Sequence, residues 1–187
     1  MNKKIAAGAL TLYVGAIVLA NYLIVHGCPG ATATPFHTYT LPVGFGLAAP
    51  AGVYVAALTF PLRDVVQRFG GRTLGIVAIL IAALVSYWVS NPIIAVASGG
   101  TFLISETLDF AVYTPFQRRW FVPAVIASGV VAAVADSVIF LYWAGLPFGN
   151  GTLEGLIVGK LWIVTLVGGS LAFGLRRVLP KRELVTA

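Results

Sequence analysis

Six apolar runs of about 20 residues each, at 5–25, 43–62, 73–90, 97–117, 121–143 and 153–175, take up almost the whole of this 187-residue chain. A run of that length and so poor in charge crosses a bilayer as a helix, because only internal hydrogen bonding satisfies a backbone surrounded by hydrocarbon. Charged residues make up 10% of the chain, against about 25% in a soluble domain, and the mean hydropathy is +0.95. The sequence therefore predicts an all-α integral membrane protein with a single six-helix domain covering residues 1–187. No stretch remains for a nucleotide-hydrolysing domain. The first run follows Lys3 and Lys4 as a signal peptide would, but it exceeds the usual apolar core of about 7–15 residues and reads as a first spanning helix.

The basic residues set the orientation. With the N-terminus inside, Lys3, Lys4, Arg63, Arg68, Arg72, Arg118, Arg119, Arg176, Arg177, Lys181 and Arg182 all fall on the cytoplasmic side, and the outer loops carry no Lys or Arg. This is the positive-inside pattern, so both termini are expected in the cytoplasm of a multi-pass inner (plasma) membrane protein. The net charge of +6 is thereby explained by the lipid bilayer as partner, without nucleic acid. A single cysteine, Cys28, allows neither an internal disulfide nor a cysteine metal site. No cofactor is expected.

Two segments break the plain pattern. The second run contains Gly44, Gly46, Pro50 and Gly52, interruptions that a membrane helix tolerates where protein or a cavity satisfies the freed backbone. The loop after it, residues 63–72, holds Asp64 four residues before Arg68, a spacing that predicts a local ion pair.

The fourth run carries two acids. Ser98, Thr101, Phe102, Ser105, Glu106, Asp109 and Tyr113 fall within about 140° on a helical wheel. A carboxylate at mid-bilayer costs roughly 2.5–3.5 kcal/mol. Asp136 in the fifth run and Lys160 in the sixth add two more charges inside spans. Counted at a rise of about 1.5 Å per residue, Asp136, Asn21, Lys160 and Glu106 lie between the midplane and the outer third, with Asp109 about one turn lower. Lys160 can pair with Asp136 or Glu106, yet three acids to one base match poorly for neutralisation alone, and a buried pair stabilises weakly after desolvation. A solute site explains the gathering better. Carboxylates accept a pair of parallel N–H donors, Lys160 and Asn21 can donate to a carbonyl, and Tyr22, Tyr54, Phe102, Tyr113, Phe140 and Trp143 offer flat faces to a heterocycle. A cationic ligand or a proton would suit the acids as well.

The segments PVGFGLAAPAGVYVAALTFPLRDVVQRFGGR (42–72), SGGTFLISETLDFAVYTPFQRR (98–119), ADSVIFL (135–141) and VGKLW (158–162), with Ala20-Asn21, resemble the vitamin-uptake-transporter-like family of queuosine-precursor transporters in its small form. The likeness spans most of the chain in order, and charged motifs such as S-E-x-x-D-F-x-V-Y within apolar helices make it specific. The resemblance implies a six-helix secondary importer of 7-deazaguanines such as preQ0 or preQ1, whose guanine-like edge fits acids. It implies that Glu106 and Asp109 are the family's acidic pair, Asp136 its helix-five acid, Lys160 its helix-six base and Asn21 its helix-one amide. The chain departs from many relatives at Gln67, Arg68 and Phe69, where they place an acid and an aromatic. Expected partners are a small heterocyclic substrate and a second copy of the chain as a homodimer. A substrate-binding membrane subunit of an energy-coupling vitamin importer, working with an ATPase module, is the rival reading. An intramembrane enzyme is disfavoured because His26 and His37 fall in an outer loop and no Ser–His or two-His arrangement lies in a span.

Overall fold

The computed structural model describes residues 3–34, 39–90 and 95–178. The expected roles of His37, Asn91, Pro92, Lys181 and Arg182 lie outside the described residues. The chain runs α1 (Lys3–His26), β1 (Thr32–Ala33), β2 (Tyr39–Gly44), β3 (Leu47–Pro50), α2 (Val53–Ala57), α3 (Thr59–Gly70), α4 (Arg72–Val89), α5 (Ala95–Phe116), α6 (Phe121–Trp143), α7 (Thr152–Trp162), a π-helical stretch (Ile163–Gly168) and α8 (Gly169–Val178). Four helical stretches are long and apolar enough to cross a membrane: Lys3–His26, Arg72–Val89, Phe121–Trp143 and Thr152–Arg177. The α5 helix matches them in length at 22 residues, but its Ser, Gly, Thr, Glu106 and Asp109 set it apart. Large apolar side chains such as Leu84, Trp88, Phe45 and Tyr142 are exposed, the inverse of a soluble surface and what lipid contact requires. The helices are those of a membrane protein.

The chain is mostly helical, as expected, but the run 43–62 is not one helix. The strands β1, β2 and β3 form a three-stranded antiparallel sheet in that order, paired Thr32↔Thr40 and Leu41↔Ala49, with an irregularity between Pro42 and Gly44. Left-handed backbone at Gly44 (φ 99°), Phe45 (φ 55°) and Gly46 (φ 74°) turns the chain back, which a helix cannot do. Loose backbone groups of the hairpin find side chains: Trp162 Nε1 donates to the Val43 carbonyl at 3.0 Å and Tyr54 Oη to that of Pro42 at 3.2 Å. Conversely, residues 63–70 are helix, not loop. Arg63 and Arg68 are 0% and 2% exposed, so they are interior residues and not cytoplasmic loop charges. Asp64 lies against Arg63, with Nη1 to Oδ1 at 3.0 Å, while Arg68 Nη1 donates to the Gln117 carbonyl at 3.3 Å.

Small residues let the elements close. The buried stripe of α1 is Ala6, Ala9, Tyr13, Ala16, Ile17 and Ala20, and α6 buries Ala124, Ser128, Gly129, Ala132, Ala133 and Ser137, as expected where membrane helices pack backbone to backbone. Side-chain contacts fix which ends lie together: Asn21 of α1 meets Ser90 at the end of α4, and Ser86 meets Ser98 at the start of α5. The sheet caps this end, packed between α1 and α7. A Cβ on Gly52 would sit 2.2 Å from the Ala20 carbonyl oxygen, and one on Gly155 would sit 2.2 Å from that of Ala48. Both obstacles are backbone. Gly52→Ala and Gly155→Ala should each therefore cost about 1–3 kcal/mol, read as a lower unfolding midpoint of the purified protein in detergent. Gly8→Ala, with nothing within 4 Å, should not lower it. Equal midpoints for all three would refute the close packing of the sheet.

Candidate functional site

A cavity of about 790 Å³ opens within the sheet-capped half of the bundle, inside the range of about 300–1,000 Å³ common for small-molecule sites. Its wall is drawn from α1, the sheet, α2, the first residue of α3, α4, α5, α6 and α7. Most of the wall is apolar, with Ile17, Ala20, Val53, Phe102, Phe140 and Leu156 among its residues. One ion pair interrupts it. Lys160 Nζ donates to Asp136 Oδ2 at 2.5 Å and to Ser137 Oγ at 2.9 Å, and Ser105 Oγ donates to Asp136 Oδ1 at 2.9 Å. The Lys160 side chain is 5% exposed and that of Asp136 is 20% exposed.

The chemistry follows from counting donors and acceptors. An ammonium has three N–H groups and a carboxylate about four lone-pair positions. Among the described residues Lys160 commits two donors, and Asp136 accepts two bonds. The pair thus keeps one donor and further acceptor capacity while remaining electrically neutral. Around it stand hydroxyls and an amide: Ser86 and Ser98 are 3.0 Å apart, Ser90 Oγ donates to Asn21 Oδ1 at 3.0 Å, and the buried Thr101 hydroxyl has no hydrogen-bond partner among the described residues. Such a wall suits a flat, partly polar solute that offers both N–H donors and a carbonyl.

Of the residues singled out from the sequence, Asn21, Phe102, Asp136, Phe140 and Lys160 line this cavity, and Ser105 stands behind it holding Asp136. The others lie elsewhere. Tyr22 is exposed and stacked on His26 at 4.0 Å between ring centroids. The Trp143 ring covers Gly100 and is 46% exposed. Tyr113 is buried among Phe121, Ala124, Val125 and Ala172. Glu106 and Asp109 are fully buried against Arg63: Arg63 Nε donates to Glu106 Oε2 at 3.3 Å, Nη2 binds Asp109 Oδ2, and Nη1 donates to Gln67 Oε1 at 2.8 Å. The polar groups therefore form two clusters, not the single layer that the depth count suggests.

Sequence reasoning missed Thr59 and the sheet residues Tyr39 and Thr40 on the cavity wall, and Arg63 at the centre of the second cluster. The signal for Arg63 was present. No Gly or Pro separates Leu62 from Gly70, and Arg63 and Gln67 are one helical turn apart. Among the described residues no group of three or more His, Cys, Asp or Glu is arranged to hold a metal ion. Comparison with known protein families, with curated proteins and with solved structures finds no match.

Proposed function

We propose that this protein carries 7-deazaguanine precursors of queuosine, preQ0 or preQ1, into the cell across the plasma membrane by secondary transport. The observation that carries the reading is the half-satisfied Asp136–Lys160 pair on the wall of an otherwise apolar cavity. Burying an ion pair merely to hold helices together is a weak use of it, whereas an intramembrane charge beside a cavity marks a solute path. In this reading Asp136 accepts the ring N–H and exocyclic amine of the guanine-like edge. Lys160 gives its remaining N–H to the ring carbonyl, and Phe102 and Phe140 flank the rings. The chain spans the membrane six times, α2 and α3 supplying the second crossing and α5 the fourth. The basic helix ends, Lys3, Lys4, Arg72, Arg118, Arg119, Arg176 and Arg177, face the cytoplasm. The cavity then lies in the outer half of the bundle, where an incoming solute arrives.

The test is uptake of labelled preQ0 and preQ1 by cells that can neither make nor import them, with and without this protein. Uptake rising several-fold with the protein, and retained in liposomes holding this chain alone, is the expected result. Uptake that needs an added ATPase would assign the chain to the energy-coupling importers as their substrate-binding subunit. Correctly inserted protein that moves neither compound would overturn the proposal.

A further inference from the structure

The Arg63 cluster is a second polar site, below the cavity and absent from its wall. Arg63 and Asp64 come from α3, Glu106 and Asp109 from α5, and all four are at most 1% exposed. Tyr13 of α1 lies near Glu106, and Ser128 of α6 lies near Asp64 and Asp109, without a hydrogen bond in either case among the described residues. Tyr113 of α5 stands over the guanidinium, its ring centroid 5.6 Å from Cζ. Arg68, farther along α3, donates to the Gln117 carbonyl and stands over the Phe121 ring.

Two independent observations bear on what the cluster holds. The first is charge: Asp64, Glu106 and Asp109 bring three carboxylates to the one guanidinium of Arg63. Fully ionised, they would leave a net charge of −2 in a space closed to solvent, which low-dielectric surroundings resist by several kcal/mol per ion. The second is the pattern of satisfied and orphaned atoms. Glu106 and Asp109 each turn one oxygen to Arg63, and their other oxygens, Oε1 and Oδ1, have no hydrogen-bond partner among the described residues. Asp64 Oδ2 lacks one too, Oδ1 lying 3.0 Å from Arg63 Nη1, and among the described residues so do the hydroxyls of Tyr13 and Tyr113, which are fully buried. Ionised oxygens and hydroxyls do not stay unbonded in such a place, because each costs about 1–3 kcal/mol or more.

We infer that the cluster is a proton-binding site, in which carboxyl groups of Glu106, Asp109 and Asp64 carry the protons that a single arginine cannot balance. A proton on an oxygen turned away from Arg63 supplies a donor where a donor is missing, and the tyrosine hydroxyls are there to accept it. A metal cation is the wrong occupant, since the guanidinium touches all three carboxylates and would repel it. The site is joined to the cavity through Thr59, which lines the cavity and lies against the Glu106 carboxyl. On the transport reading, the proton site adjoins the cavity that holds the solute through Thr59, an arrangement suited to proton-driven uptake.

The chain has only six acidic residues, Asp64, Glu106, Asp109, Asp136, Glu154 and Glu183, so its infrared spectrum in the carboxylic-acid C=O region is sparse. The experiment is to record that region for the purified protein at neutral pH, without substrate, after separate side-chain ¹³C labelling of Asp and of Glu. A protonated-acid band that shifts on Glu labelling is expected, with loss of that band in Glu106→Gln. Asp labelling should shift a second component, which Asp109→Asn removes. No protonated-acid band at neutral pH in the labelled parent would overturn the inference whether or not the variants fold. So would a band displaced by added Na⁺, which would make the site a metal-cation site. Because no solute is involved, these outcomes stand apart from success or failure of preQ0 and preQ1 uptake.

Discussion

Arg63→Met unfolds far more readily than the parent, with an expected loss of about 3–5 kcal/mol, the range found when one partner of a buried ion cluster is removed. The side chain is fully buried and touches Asp64, Glu106, Asp109 and Gln67, which come from two different helices. Gln67 extends the network, donating from Nε2 to Thr114 Oγ1 of α5 at 3.0 Å. Methionine keeps much of the volume but removes five donors and the cation that contacts three carboxylates. Arg63→Lys should fall between the two, because an ammonium is a point charge that cannot bridge several acceptors in one plane. Thermal unfolding of the purified proteins in detergent, with binding of a reporter to exposed apolar surface, measures the order. Glu154→Gln, at an exposed position in the first turn of α7, serves as the control and should stay within about 0.5 kcal/mol of the parent. If Arg63→Met melts with the control, the cluster does not hold α3 to α5.

The sequence told the two kinds of polar residue apart only in part, for reasons visible in the packing. Lys160 and Asp136 were legible because charges in apolar runs are anomalies that hydropathy alone exposes, and the structure pairs them. Asn21, which the depth count places at their level, lines the same cavity. Glu106 does not, since depth along a helix says nothing of which neighbour its face meets. The α5 face that turns Ser105 to α6 turns Glu106 to α3 one residue later. Arg63 was misplaced because basic residues after an apolar run imitate a cytoplasmic loop. The helix there is invisible to hydropathy, as its charges are neutralised by acids 43 and 46 residues away. The sheet at 39–50 was hidden in the opposite sense. Its residues are as apolar as a spanning helix, and only the turn at Gly44–Gly46 and the carbonyl-seeking Trp162 and Tyr54 reveal that the backbone is extended.

The Asp136–Lys160 pair offers the sharpest separation of a solute site from a structural clasp. Asp136→Asn and Lys160→Met each strand one charge beside the cavity. Breaking a buried pair by removing one partner costs about 3–5 kcal/mol, and the 20% exposure of Asp136 places this pair below that range. The double variant removes both charges and should recover most of that stability, because a neutral pair of similar volume replaces the ion pair at little cost. Uptake should not recover with it. Asp136→Asn replaces an acceptor with a donor at the oxygen that would meet the ligand N–H groups, and truncated charge-assisted contacts cost about 2 kcal/mol or more, or about 30-fold in affinity. Lys160→Met removes the donor for the carbonyl as well. The expected pattern is therefore two unstable, inactive single variants and one stable, inactive double variant, measured by unfolding in detergent and by preQ0 and preQ1 uptake at matched membrane levels. A double variant that regains uptake together with stability would reduce Asp136 and Lys160 to a clasp between α6 and α7, and the solute would have to be held by the Asn21, Thr101 and serine side of the same cavity.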